Sequence, residues 1–163
     1  MALFDAFLKL DGIKGESADA KHKGEIDIMS FSWGAAQRGT SATGGGGGAG
    51  KVHFNDIDFI KKTDASSPLL MVNCASGAHI KEANFTVRKA GGEQLEYLKI
   101  KLTDVLISSY KEHGSIGGGD IPTESLSLNF SKVEYSYQPQ GADGKAQGGP
   151  VLAGWDVKQN QKV

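Results

Sequence analysis

Residues 125–137 read Ser-Leu-Ser-Leu-Asn-Phe-Ser-Lys-Val-Glu-Tyr-Ser-Tyr, and their rhythm decides the fold. Leu126, Leu128 and Phe130 alternate with polar residues, the period of a strand with one buried face. The pattern slips at Ser131-Lys132 and resumes on the opposite parity with Val133, Tyr135 and Tyr137. A strand that changes face midway bends and twists, which is what a curved sheet or barrel requires.

The same period recurs outward from this stretch. Phe4, Ala6, Leu8 and Leu10 carry it, as do residues 52–60, 84–88 and the apolar stretch 95–109. In residues 25–34, Ile26 and Ile28 take one face and Met29, Phe31 and Trp33 the other, which suggests a bulge or burial on both sides. Trp155 and Val157 mark a last short strand. Glycine is 23 of 163 residues, about 14% and roughly twice the usual share, and it collects between the strands. Such a composition favours turns and disfavours helices.

One stretch breaks the strand rhythm. In DASSPLLMVNCASG (residues 64–77), Ser67 can cap a helix with Pro68 in its first position, and Gly77 can end it. Leu69, Leu70, Val72 and Cys74 give this helix an apolar side, so Cys74 reads as core. The helix should plug or flank a barrel.

Composition excludes several functions. Lysines and arginines number 18 against 19 acids, a net charge of −1, which does not suit a phosphate-backbone binder, so no nucleic-acid partner is expected. One cysteine forms no intramolecular disulfide and no cysteine zinc site. Asp5 and Lys9 interrupt the apolar start, so no signal-peptide core is expected there. The longest aliphatic run, Leu69 to Val72, is far short of the ~20 residues of a membrane span, and no stable membrane insertion is expected.

Catalytic motifs fare no better. Gly45 to Lys51 fits the first seven positions of a P-loop, and Gly45, Gly47 and Gly50 fit G-x-G-x-x-G. A run of glycines satisfies almost any such template. Val52 stands where a magnesium-binding hydroxyl belongs, and a strand rather than a helix follows. A long loop that docks on another surface is the better reading. His22, His53, His79 and His113 show no metal-ligand spacing, so no metal and no cofactor are expected. Cys74 and His79 lack an identifiable orienting acid, and Asp56 and Asp58 read as a solvated strand face. The cluster DAKHKGE (residues 19–25) reads as a solvated turn, or else as a charged contact to an oppositely charged neighbour. No enzyme is expected.

The strings DGIKGESADAKHKGEIDIMSFSWG (11–34), GGGGGAGKV (44–52), FTVRKAGGEQLEYLKIKLTDVLISSY (85–110), LNFSKVEYSYQPQ (128–140) and GGPVLAGWDVKQN (148–160) together resemble the Hcp (haemolysin-coregulated protein) family. The resemblance spans nearly the whole chain. It implies a mainly β fold: a compact, partly open β-barrel of two sheets, one short flanking helix at about residues 67–76, and an extended glycine-rich loop.

It further implies a subunit of the type VI secretion inner tube, akin to phage tail tubes. Six copies would form a ring, and rings would stack into a tube inside a contractile sheath below spike proteins. Effectors would ride in the lumen, chaperoned by the ring. The subunit would assemble in the cytoplasm and leave the cell without a signal peptide. Only Lys158 to Val163 follow Val157, so one domain over residues 1–163 with no C-terminal toxin extension is expected.

If Met29, Phe31 and Trp33 face the core, Ser30 and Ser32 face away, and the resemblance implies that they look into the lumen. The loop Gly44, Gly45, Gly46, Gly47, Gly48, Ala49 and Gly50 is the candidate inter-subunit or ring-stacking element. The alternative is a sugar- or ligand-binding β-sandwich. It would need exposed aromatics on one face, whereas Tyr135 and Tyr137 share theirs with Val133 and should pack in the core.

Overall fold

The computed structural model describes residues 3–39 and 50–163. Its strands are β1 (Phe4–Leu10), β2 (Ile26–Ile28), β3 (Ser30–Ser32), β4 (Ala35–Ala36), β5 (His53–Phe54) and β6 (Ile57–Lys62). After helix α1 (Ser67–Ser76) come β7 (His79–Lys89), β8 (Glu96–His113), β9 (Thr123–Tyr137), β10 (Val151–Asp156) and β11 (Gln161–Lys162).

β9, the stretch that sets the rhythm, is the spine. It pairs antiparallel with β8 from His113↔Thr123 to Leu98↔Tyr137. On its other edge, residues 123–128 pair with β6 and residues 132–137 with β10. The predicted slip at Ser131-Lys132 lies where β9 passes from the first of those partners to the second. Directly across, Asp104 of β8 adopts a positive φ of 54°. Both strands therefore change their buried parity together: Leu102 gives way to Val105, and Phe130 to Val133.

From β8 the sheet continues through β7 and β1 to β2, while β3 pairs with β6. Residues 26–32 thus give their first half to β1 and their second to β6. β2 and β6 share no ladder, so the barrel stays partly open there, as expected. β4 and β5 form a separate two-stranded sheet, from which Phe54 packs against the core.

The parity change in residues 25–34 is a change of partner, not a bulge or a doubly buried strand. It corrects the reading of Met29, which sits at the switch and is 51% exposed. Phe31 and Trp33 do pack against the core, half-buried.

The helix spans the predicted residues and ends on Gly77 with φ 65°, a left-handed turn that suits glycine. Its start differs. Ser66 is the N-cap, and Ser67 is the first helical residue. The Ser67 hydroxyl instead donates to Glu124 Oε1 at 2.7 Å, so its oxygen is committed to the barrel. The expected apolar side is also narrower than predicted. Only Leu70 is a buried apolar residue; Leu69 and Val72 are exposed, and Cys74 is half-buried against the core. The helix flanks the barrel rather than plugging it. Of the expected core trio Val133, Tyr135 and Tyr137, only Val133 is buried; the two tyrosines, at the end of β9, are partly exposed.

Candidate functional site: a polar strand face

β3, β6 and the first half of β9 lie side by side. Their inward parity is Phe31, then Phe59, then Leu126, and everything between them points outward. The outward row is Ser32↔Asp58↔Ser127, and the next is Ser30↔Ile60↔Ser125. Ser30 and Ser32 are therefore brought onto one polar face with residues the sequence reading did not connect to them. Both serines are exposed.

The face is built from short hydroxyls and carboxylates that bond one another. The Ser127 hydroxyl donates to Asp58. Ser108 Oγ donates to Asp56 Oδ2 at 2.6 Å, and Asn129 Nδ2 donates to Asp56 Oδ1 at 2.8 Å. Asp56 and Asp58 thus accept bonds from β8 and β9, more than the solvated strand face that alternation alone predicts. A shallow cleft of about 510 Å³ opens beside Ser32, between Trp33, His53, Asn55 and Asn129. Among the described residues β3 pairs only with β6, which leaves its other edge free of a strand partner.

Among the described residues, no group of three His, Cys, Asp or Glu side chains could hold a metal ion. His53 is exposed on β5, and a strand follows Lys51 as the sequence predicts. His79 does find an acid: its Nδ1 donates to Asp104 Oδ1 at 2.6 Å, a partner 25 positions away that no local spacing reveals. Asp104 also takes Lys158 and Ser131, each at 2.7 Å. The hydrogen bond from Lys158, with those from Ser131 and His79, holds the Asp104 carboxyl well below the usual carboxylate range. This clamp ties the β8–β9 irregularity to the start of β7 and to the chain after β10. It is a structural joint.

The DAKHKGE turn is only half solvated, against its reading as a solvated turn. Lys21 and Lys23 are exposed, but His22 is buried and stacks on Phe7 with centroids 4.3 Å apart. Its two ring nitrogens meet Glu25 at 2.8 Å and Glu96 at 2.7 Å. Burial opposes the charge on Glu96, but hydrogen bonds from His22 and Lys99 outweigh it and keep the carboxyl below its ordinary range. Gly15 allows the turn to close, since a Cβ there would lie 2.5 Å from the Glu25 carbonyl oxygen.

Asp19 anchors the turn to buried Arg88, whose Nη1 donates to Asp19 Oδ1 at 3.0 Å. That bond lowers the Asp19 carboxyl to about 2, against roughly 3.9 for a free aspartate. A depressed folded value means stability that is full above about pH 4 and is lost as pH falls toward about 2. Asp19→Asn should therefore melt at a lower temperature than wild type near neutral pH. Across about pH 4 to 2 the two melting curves should converge. A melting-temperature gap that does not change with pH would refute this assignment.

The sequence model of the family described as "Type VI secretion system effector, Hcp" matches residues 7–137, most of the barrel just described. The chain belongs to the Hcp family. Protein hcp1 of Pseudomonas aeruginosa is 52% identical over 157 residues, covering 96% of each protein. The crystal structure of Hcp1 from Salmonella typhimurium superposes with a TM-score of 0.84 at 40% identity, over 99% of this chain and 100% of that one. A solved type six secretion system protein reaches a TM-score of 0.92 at 33% identity, over 98% and 99%.

This Hcp is a type VI secretion tube subunit, and nothing in these relatives favours the ligand-binding sandwich. Hcp is a secreted component of that system and not a known enzyme family. Among the described residues no helix is long and apolar enough to cross a membrane. Of the loop candidates, Gly50 is exposed, whereas residues 44–49 lie outside the described residues.

Proposed function

We propose that this Hcp forms a closed ring of six copies, that rings stack into the tube, and that the Ser30–Ser32 face lines the lumen. The observation that carries the reading is the outward row Ser32, Asp58 and Ser127 across β3, β6 and β9, with the far edge of β3 free of a strand partner among the described residues. A ring needs a heterologous contact whose rotation closes, and a free strand edge supplies one. The lumen wall would then consist of short polar groups that offer donors and acceptors without bulk, which suits loose holding of varied effectors.

In this reading the chain is one structural domain over residues 1–163 without catalysis. It assembles in the cytoplasm, meets sheath and spike proteins, and is exported with its cargo. The loop at 44–50 contacts a neighbouring subunit or ring.

Light scattering coupled to size exclusion tests the ring. Six copies of 17.2 kDa should appear at about 103 kDa. A monomer across the micromolar range would sink the proposal. Ser32→Gln then tests the lumen. It should keep the ring mass and move stability by no more than ~0.5 kcal/mol, as exposed substitutions usually do. Effector pull-down with the ring should fall, as should effector abundance in the producing cell. Unchanged effector binding on an intact ring would remove Ser32 from the lumen.

A further inference from the structure

The hairpin joining β8 to β9 ends in residues 114–122, His-flanked and rich in glycine. A turn closed by the Gly118 N–H donating to the Ser115 carbonyl at 3.1 Å holds Ile116 at its apex. Ile116 is fully exposed, at 109%. One exposed apolar side chain needs no partner by itself. This one is presented on an anchored tip, because the Thr63 N–H donates to the Pro122 carbonyl at 2.9 Å. Asp120, four residues on, makes no ion pair among the described residues.

A groove of complementary character lies past the same Thr63 turn. It has a volume of about 910 Å³ and an apolar floor that includes Ile13 and Leu69. Lys9, Lys14, Lys21 and Lys23 stand around it. None of the four is in an ion pair among the described residues. Two carboxylates share the lining: Glu25 is turned to His22, and Asp11 is exposed. The rim is thus a cationic collar on an apolar floor, and the tip is an apolar apex beside an acid.

We propose that the hairpin tip of one copy seats Ile116 in this groove of the next copy, with Asp120 against the lysine collar. The inference rests on the ring reading. Tip and groove are different surfaces of the chain, so the contact is heterologous, and it forms a ring where its rotation closes.

Engineered cysteines test it in a Cys74→Ser background. Co-expressed Ser115→Cys and Lys14→Cys chains should give oxidised dimers on non-reducing gels, and Ser115→Cys chains alone should not. A ring of normal mass without that dimer overturns the plug and leaves the ring standing. A monomer at every concentration overturns both. Independently, Asp120→Lys should raise the concentration at which rings dissociate by roughly tenfold. Adding Lys21→Glu and Lys23→Glu should bring it back. An unmoved dissociation midpoint for Asp120→Lys overturns the proposal.

Discussion

Lys61→Met should destabilise this Hcp by about 3–5 kcal/mol, because it strands a buried carboxylate. Lys61 lies on the inward parity of β6 after Ile57 and Phe59, and it is fully buried. Directly opposite on β9 is Glu124, also fully buried, and the two side chains form an ion pair. The ammonium also donates to the Lys62 carbonyl at 2.9 Å, to Asp64 at 3.0 Å and to Ser67 at 3.3 Å. Glu124 accepts from Ser67 and from the Tyr110 hydroxyl. Burial, with the hydrogen bond the phenol donates to Glu124, pushes Tyr110 well above its ordinary value.

Loss of the ammonium leaves the buried Glu124 carboxylate with only the Ser67 and Tyr110 hydroxyls as partners, which is costly. Loss of both charges does not, since a buried pair replaced by apolar residues of similar volume is often neutral. Lys61→Met with Glu124→Leu should therefore recover most of the loss. Urea unfolding at one protein concentration measures it, since ring formation itself shifts apparent stability. A single-variant loss below about 1 kcal/mol, or a double variant as weak as the single, would show that the pair does not hold β6 to β9.

This network also shows where the sequence stops being readable. Alternation marks Lys61 as inward only if one accepts a lysine on a core parity, and no local signal names Glu124, 63 positions away, as its partner. The same holds for His22 with Glu96 and for Asp104 with Lys158, pairs joined by topology and not by spacing. What local physics decides was legible. Residues 125–137, the left-handed stop at Gly77 and the outward turn of Ser30 and Ser32 all follow from period and backbone preference. Met29 failed because periodicity gives parity but not the strand partner, and it sits where the partner changes. The helix failed on Leu69 and Val72 because an apolar stripe does not say whether its cover comes from the same chain.

The Ser30–Ser32 strand is too short to hold its own place, so its position should depend on Phe85. β3 has three residues and, among the described residues, pairs only with β6. Its one inward side chain, Phe31, meets Phe85 of β7 edge-on at 4.8 Å, and Phe85 in turn meets Phe59 of β6 at 5.0 Å. The three rings join β3 and β6 to β7 through the core. Phe85→Ala should cost about 3–5 kcal/mol, the usual price of removing a buried aromatic. Part of it is the loss of two aromatic contacts, each worth roughly 0.5–1.5 kcal/mol beyond area. The loss should also be uneven. Amide exchange should accelerate in β3 more than in the β8–β9 ladder, which has strand partners along its length. Phe85→Leu, which refills most of the volume, should restore much of both. If exchange rises equally across the barrel, or if unfolding free energy falls by less than about 1 kcal/mol, the rings are filler and the polar face is positioned by backbone pairing alone.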